Sequence, residues 1–167
     1  MSSSSAAGDT DLLERVRASF ARQGAMATIG AELADVAAGR VAIALAIEPR
    51  LSQQHGFLHA GVVVTALDSA CGYAALTLMP PDLEVLTAEL KVNLLAPASG
   101  DSLIAEGQVV RAGRTLTVCR GDAFTGGVER VHVATMLATI IGRPARSAEA
   151  VSEGRKLPRA GAVRGNG

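Results

Sequence analysis

A single acid stands inside the most apolar stretch of this chain. From Leu58 to Met79 the residues are Ala, Val, Leu, Gly and other uncharged types apart from His59, and Asp68 sits near the middle. A carboxylate in such surroundings is either ion-paired within a core or poised as a general base or nucleophile. On spacing alone the ion-paired core residue is the stronger reading. Just ahead lies His59-Ala60-Gly61. If the stretch is helical, its first backbone N–H groups have no intrahelical acceptor and sit at the positive end of the helix dipole. Gly61 leaves room for close approach to the backbone. Donors of this kind stabilise negative charge developing on an oxygen. An acid that activates water and a donor that receives an oxyanion together suit attack on a carbonyl carbon.

Other reactive types fit less well. Cys71 follows Asp68 by three residues, but no His or Asn spacing supports a thiol nucleophile, and a small core residue is the better reading. His55 belongs to a loop. His55, His59 and His132 form no zinc spacing with each other or with Cys71 and Cys119. Two cysteines make no disulfide framework.

The elements that must position these residues follow from periodicity. Asp9 and Thr10 suit a helix N-cap before Leu12, Leu13, Val16 and Phe20, and Gly24 suits that helix's end. Thr28–Asp35 and Val41–Ile47 alternate around Ala38-Gly39 as a β-hairpin, and a loop runs from Arg50 to Leu58. The 22 residues from Leu58 to Met79 are long enough to span a bilayer, but a mid-bilayer carboxylate is costly, so a buried helix is expected, stopped by Pro80-Pro81. Four strand-like segments follow: Val85–Leu95, Ser102–Arg111, Thr115–Phe124 and Arg130–Ile141. In the first, Leu86, Ala88, Leu90, Val92 and Leu94 share one face and Thr87, Glu89, Lys91 and Asn93 the other. The class is α+β, one curved antiparallel sheet wrapped around one long helix, over residues 10–142. Residues 1–9 are expected to be disordered, and so is a basic tail from 143 to 167. The exposed sheet edges call for cover, and pairing between subunits supplies it.

Composition excludes several functions. Of 167 residues, 49% are hydrophobic, which supports one folded domain. Basic and acidic residues both number 16, which argues against non-specific nucleic-acid binding. With no Trp, one Tyr and three Phe, a base-stacking platform is not expected. The first residues lack a basic segment followed by an apolar one, so no signal peptide is read there and a cytoplasmic location is expected.

The run Gln53-Gln54-His55-Gly56-Phe57-Leu58-His59-Ala60-Gly61, followed by Asp68, by Thr87 and by the turn Pro97-Ala98-Ser99-Gly100, resembles the phenylacetate-degradation (PaaI-type) acyl-CoA thioesterases of the hotdog superfamily. Gly113-Arg114-Thr115-Leu116 in the next hairpin belongs to the same resemblance, which covers roughly residues 25 to 141. One position departs: Ala60 stands where the family's His-Gly-Gly element has Gly. The resemblance implies a hotdog fold, hydrolysis of an acyl or aryl-acyl thioester without a cofactor, and active sites at a dimer interface. It puts the catalytic reading of Asp68 ahead of the ion-paired one.

Spacing supports the same oligomeric arrangement. Eight residues from Ala60 to Asp68 are ~12 Å of helix. If both act on one carbonyl, Asp68 must come from a second subunit whose helix runs antiparallel. The site is then Asp68 as base or nucleophile, Ala60 and Gly61 as oxyanion contact, Gln53 orienting water or the carbonyl, Thr87 as polar partner of Asp68, and His59 holding the loop or polarising the thioester. Arg111 and Arg114, flanking a hairpin tip, are candidate contacts for coenzyme A phosphates. A homodimer or homotetramer (dimer of dimers) with an acyl-CoA substrate, no nucleic acid and no membrane is the expectation. The alternative is a non-catalytic acyl-CoA-binding or sensing protein on the same fold. A hotdog dehydratase needs its His and acid on separate elements, which this pattern does not provide.

Overall fold

The structure, a computed structural model, describes residues 3–126 and 130–144. Helix α1 (Ser3–Phe20) and the short α2 (Gly24–Ile29) lead into β1 (Ala31–Ala37) and β2 (Arg40–Ala46). A 3-10 turn at Pro49–Leu51 and a loop reach the long α3 (Ala60–Leu76). Then come β3 (Leu83–Leu94), β4 (Ser102–Ala112), β5 (Leu116–Gly126) and β6 (Val131–Pro144). The six strands form one antiparallel sheet in the order β1-β2-β4-β5-β6-β3. Its face is wrapped on α3, which touches every strand.

Small residues make this wrapping possible. The sheet turns Ala105, Gly107, Cys119, Gly121, Ala123, Ala134 and Ala138 inward, and α3 answers with buried Ala66, Ala70, Cys71, Ala74 and Ala75. The helix axis therefore lies unusually near the strands. A Cβ at Gly107 would fall 2.3 Å from the Ala70 carbonyl carbon, and one at Gly121 would fall 2.9 Å from Cys71 Sγ. Larger apolar groups (Val41, Ile43, Leu67, Leu103, Met136 and Ile140) fill the space around this contact.

Several boundaries differ from expectation. Helix α1 begins at Ser3, so Asp9 and Thr10 lie inside it rather than capping it; Ala6 and Ala7 favour helix, against Gly8 and the weaker helix formers Ser, Asp and Thr beside them. Thr28 and Ile29 belong to α2, not to a strand, because Gly30 at φ +66° closes that helix as a left-handed C-cap and β1 starts after it. Helix α3 ends at Leu76, ahead of Pro80-Pro81. The side chain of Thr77 does part of the stopping: its Oγ1 donates to the Ala74 carbonyl and accepts the Gly39 N–H. Arg15 of α1 does the rest, donating to the carbonyls of Leu76, Met79, Pro80 and Leu83 at 2.7–3.4 Å. A cation at a helix C-terminus is also favoured by the dipole. Strand β6 reaches Pro144, so Arg143 pairs with Glu84 in the sheet; the rest of the expected tail, from 145 on, lies outside the described residues.

Strand β3 departs most. The alternation predicts Thr87 and Glu89 on one face, but a bulge between them separates the two. Thr87 lies opposite the buried Ile140 and faces the helix, whereas Glu89 lies opposite Thr139 on the outer face. Leu86 turns outward and is 57% exposed. Leu90 and Leu94 lie opposite the inward-facing Ala138 and Ala134, yet α3 does not reach over them and they stay exposed. Among the described residues β3 is the last strand of the sheet, and no strand pairs with its other edge. Among the described residues no helix is long and apolar enough to cross a membrane.

The helix–sheet contact gives a direct test. Gly107→Ala is expected to lower stability by about 1–3 kcal/mol, since backbone atoms must move. Gly72→Ala on α3, whose Cβ would meet only Val85 Cγ2 at 3.6 Å, is expected to be neutral or stabilising by about 0.5–1 kcal/mol. Urea midpoints measure both; equal midpoints would contradict this account of the packing.

Candidate active site

The amino end of α3 is built by a loop pinned on both sides. The Leu58 N–H donates to the Ala98 carbonyl and the His59 N–H to the Leu51 carbonyl, both at 2.9 Å. Inside the loop Gln53 organises a turn: its N–H donates to the Phe57 carbonyl, its carbonyl accepts from Gly56 (φ +84°), and its Oε1 accepts from His55. Among the described residues nothing takes the Nε2 donors of Gln53.

His59 is the N-cap of α3, and its Nδ1 accepts the Gly61 N–H at 2.9 Å. An accepting Nδ1 carries no proton, so the ring of the neutral side chain has its N–H at Nε2. This bond changes what Ala60 and Gly61 can do. The Gly61 N–H is already engaged, which leaves it unsuited as the oxyanion contact expected from sequence. The room beside Gly61 is also taken, because a Cβ there would lie 3.0 Å from His59 Nδ1. The Ala60 N–H meets no acceptor among the described residues. It opens, with Gln53, onto a cleft of about 380 Å³ whose walls are otherwise apolar, Phe57, Val63, Leu94, Leu95 and Pro97 among them.

Asp68 lies two turns further along α3, half-buried, in a separate cleft of about 210 Å³. Thr87 Oγ1 donates to Asp68 Oδ1 at 2.6 Å. The β3 bulge makes this contact, by turning Thr87 to the helix side. Among the described residues no cation pairs with Asp68, so the ion-paired core reading finds no support in the geometry. Thus one protomer brings Asp68 and Thr87 together, and Gln53, His59 and Ala60 together, but holds the two groups apart along one rigid helix.

The remaining candidates lie elsewhere. Arg111 and Arg114 are exposed at the β4–β5 tip. That tip is near the carboxyl end of α3, since Val109 bonds Gly39, and Gly39 bonds Thr77. His132 sits on the outer face of the sheet, 3.0 Å from Asp122 and stacked on Phe124. Burial works to raise the Asp122 carboxyl, but hydrogen bonds from Arg120 and Thr135 and the charges of Arg120 and His132 hold it below the usual range. Three residues around Asp68 carried no signal in the sequence: Gln23, Ser69 and Tyr73, which line its cleft.

The cysteines are chemically quiet. Burial first, then neighbouring Cys119, Asp68 and Asp122, pushes the Cys71 thiol far above its ordinary range, and burial pushes Cys119 up to about 11. The native protein is therefore expected to incorporate no iodoacetamide at neutral pH, while the denatured chain takes up two equivalents, one for each cysteine. Mass spectrometry reads this directly, and rapid labelling of the native protein would overturn the assignment.

The thioesterase superfamily profile matches residues 55–132, which include His59, Ala60, Asp68 and Thr87 but not Gln53 or Gln23. The crystal structure of a thioesterase family protein from Silicibacter pomeroyi is 47% identical, covers 80% of this chain and 99% of its own, and superposes with a TM-score of 0.78. A provisionally named esterase from Saccharolobus solfataricus is 34% identical over 80 residues, 48% of this chain, and the match spans only 56% of that relative's length. The 1,4-dihydroxy-2-naphthoyl-CoA hydrolase of Listeria monocytogenes is 28% identical over 95 residues, 57% of this chain and 77% of its own. The antiparallel sheet wrapped on α3 is the hotdog architecture of these structures, and the chain belongs to the thioesterase superfamily.

Proposed function

We propose that this protein is a PaaI-type acyl-CoA thioesterase working as a homodimer or a dimer of dimers, in which each active site takes Asp68 and Thr87 from one protomer and Ala60, His59 and Gln53 from the other. The observation that carries this reading is the separation of the two polar groups along α3. Eight residues of helix hold the Ala60 N–H ~12 Å from the level of Asp68, too far for one carbonyl. A twofold axis beside β3 would run the second α3 antiparallel to the first and bring unlike ends together. The surface there suits it: β3 is a twelve-residue edge with Leu86, Leu90 and Leu94 exposed, a liability in a monomer and a ready interface in a pair.

In this site the thioester oxygen accepts the Ala60 N–H at the positive end of α3. Asp68, held by Thr87, removes a proton from water, and the water oxygen attacks the carbonyl carbon. The oxyanion so formed stays on the Ala60 donor while the C–S bond breaks. The proton held by Asp68 passes to the leaving thiolate, giving free acid and coenzyme A thiol. Alternatively the Asp68 carboxylate attacks the carbonyl carbon, the C–S bond breaks to release the coenzyme A thiolate, and water hydrolyses the resulting anhydride to the free acid and the Asp68 carboxylate, the proton released going to the thiolate. Gln53, which lines the same cleft as Ala60, orients the water or the carbonyl through Nε2. His59 supports the site by fixing the helix start. Arg111 and Arg114, exposed and without ion pairs among the described residues, serve as contacts for the coenzyme's phosphates.

Asp68→Asn is expected to lower kcat about 10²–10⁴-fold, the size of losing a positioned base. Ala60→Pro tests the donor cleanly. Proline is tolerated at the first helical position, where it deletes only an N–H that has no helical partner, and a fall of about 10²–10³-fold in kcat is expected with little change in stability. Mixing the two inactive variants is the decisive measurement. A mixed dimer has one site with both defects and one with neither, so subunit exchange should restore roughly a quarter of wild-type activity. No recovery on verified exchange would place both groups in one protomer and refute the shared site. Binding of acyl-CoA without thiol release, followed with a thiol reagent, would favour the non-catalytic sensor instead.

A further inference from the structure

The seam between α3 and β3 is built like a ladder, and α1 supplies its outer rungs. Thr87 bonds Asp68 across the seam, and next along it Val85 faces Gly72. Beyond them Ser19 of α1 accepts from the Tyr73 hydroxyl and donates to Glu84, each at 3.5 Å. At the open end Arg15 of α1 joins Leu76, the last residue of α3, to Leu83, the first of β3. Arg15 does more there than close a helix. A helix end asks only for donors to its own last carbonyls. Of the four carbonyls that Arg15 holds, Leu76 alone belongs to α3, and the shortest bond, 2.7 Å, goes to Leu83. Its Nη1 serves Leu76 and Met79 and its Nη2 serves Pro80 and Leu83. A planar fork thus spans the seam with the helix on one nitrogen and the strand on the other.

Strand β3 needs such an anchor. Among the described residues it pairs with β6 alone, and the bulge between Thr87 and Glu89 breaks that pairing beside Thr87 itself. A bulge bends its strand and loosens the local ladder, so pairing with β6 leaves the aim of Thr87 open to adjustment. From Leu83 to Thr87 is four residues of strand, ~13 Å, and from Leu76 to Asp68 eight residues of helix, ~12 Å. The two arms are nearly equal. A shift at the Arg15 end is therefore carried to the Thr87–Asp68 bond, which at 2.6 Å has little slack. Resting on the reading of Asp68 as base or nucleophile, we infer that Arg15 is a positioning residue for the reaction: from outside the site it holds β3 against α3, so that Thr87 keeps the Asp68 carboxylate aimed.

The test is a double-mutant cycle on the full-length protein, assayed well below its unfolding midpoint with whichever of hexanoyl-CoA and benzoyl-CoA the wild type hydrolyses faster. Arg15→Met is expected to lower kcat about tenfold and to change KM by less than about twofold, since alignment and not binding is lost. Arg15→Lys keeps the charge at the helix end without the fork, should lower kcat about three- to tenfold, and serves where Arg15→Met does not fold. Thr87→Val removes the bond itself. Adding either Arg15 change to it should cost less than about a further twofold in kcat, because both act through one contact. If Arg15 only stabilises the fold, kcat stays at the wild-type value or the losses multiply in the double variant, and either result overturns the proposal. Hydrogen exchange supplies a readout without turnover: in Arg15→Lys the amides of residues 83–88 should exchange about tenfold faster while those of β4 and β5 keep their rates. Uniform acceleration, or none at 83–88, refutes the clamp and leaves the hydrolase reading standing. Full turnover in Asp68→Asn, with the local exchange effect intact, does the reverse.

Discussion

The close seating of α3 on a sheet of alanines and glycines is the contact on which the rest of the molecule depends. Gly107 and Gly121 let the helix backbone and the Cys71 sulfur approach distances that any side chain would forbid. With so little space between helix and sheet, α3 has no freedom to tilt or slide without opening voids along its whole length. Everything functional is referenced to that fixed rod. The Ala60 donor is its first residue, Asp68 is two turns on, and Ser69 and Tyr73 floor the cleft beyond. Arg15 extends the same constraint to the far end, tying four carbonyls of the α3–β3 connection to α1. Because that connection sets where β3 begins, it also sets where Thr87 meets Asp68.

A rigid rod is the reason the proposed site is divided between subunits. A flexible element could fold an acid back onto its own helix start, but α3 holds them apart at a fixed spacing. In the proposed dimer a complete site would arise by symmetry rather than by local bending. The same edge strand that leaves Leu90 and Leu94 uncovered supplies Thr87, so the surface that asks for a partner and the residue that steadies the acid belong to one element. In the proposed arrangement assembly and activity are coupled, so a separated protomer would keep its core and lose its chemistry.

Much of the fold was legible in the sequence because its elements are strongly patterned. The buried helix, the hairpin around Ala38-Gly39 and the four later strands all follow from periodicity and turn residues, and the observed sheet uses each of them. The misreadings share a cause: a single residue overriding a local pattern. Gly30 in the left-handed region converts the start of an expected strand into a helix end. One unpaired residue in β3 reverses which side chains face the helix, and no alternation can announce it. Asp68 stood out as an acid among apolar neighbours. Gln23 did not, because a lone glutamine forty-five residues earlier becomes part of the same cleft only once α1 and α2 fold over α3.

The helix start shows how two adjacent small residues can carry different demands. Gly61 gives the neighbouring imidazole room: His59 Nδ1 accepts its N–H, and a Cβ at 61 would lie 3.0 Å from Nδ1, so the ring would have to shift by a few tenths of an ångström. Ala60 faces no such pressure, has ordinary helical geometry, and loses nothing as a donor by carrying a methyl group. Departure from glycine at 60 is thus compatible with the proposed chemistry, whereas the same change at 61 would crowd the cap. Displacing the cap would release the Gly61 N–H and create a second donor beside the first, but at the expense of the order that keeps either one aimed. In the proposed site a single fixed donor takes the place of two loose ones, in line with oxyanion stabilisation depending on preorganisation more than on the number of hydrogen bonds.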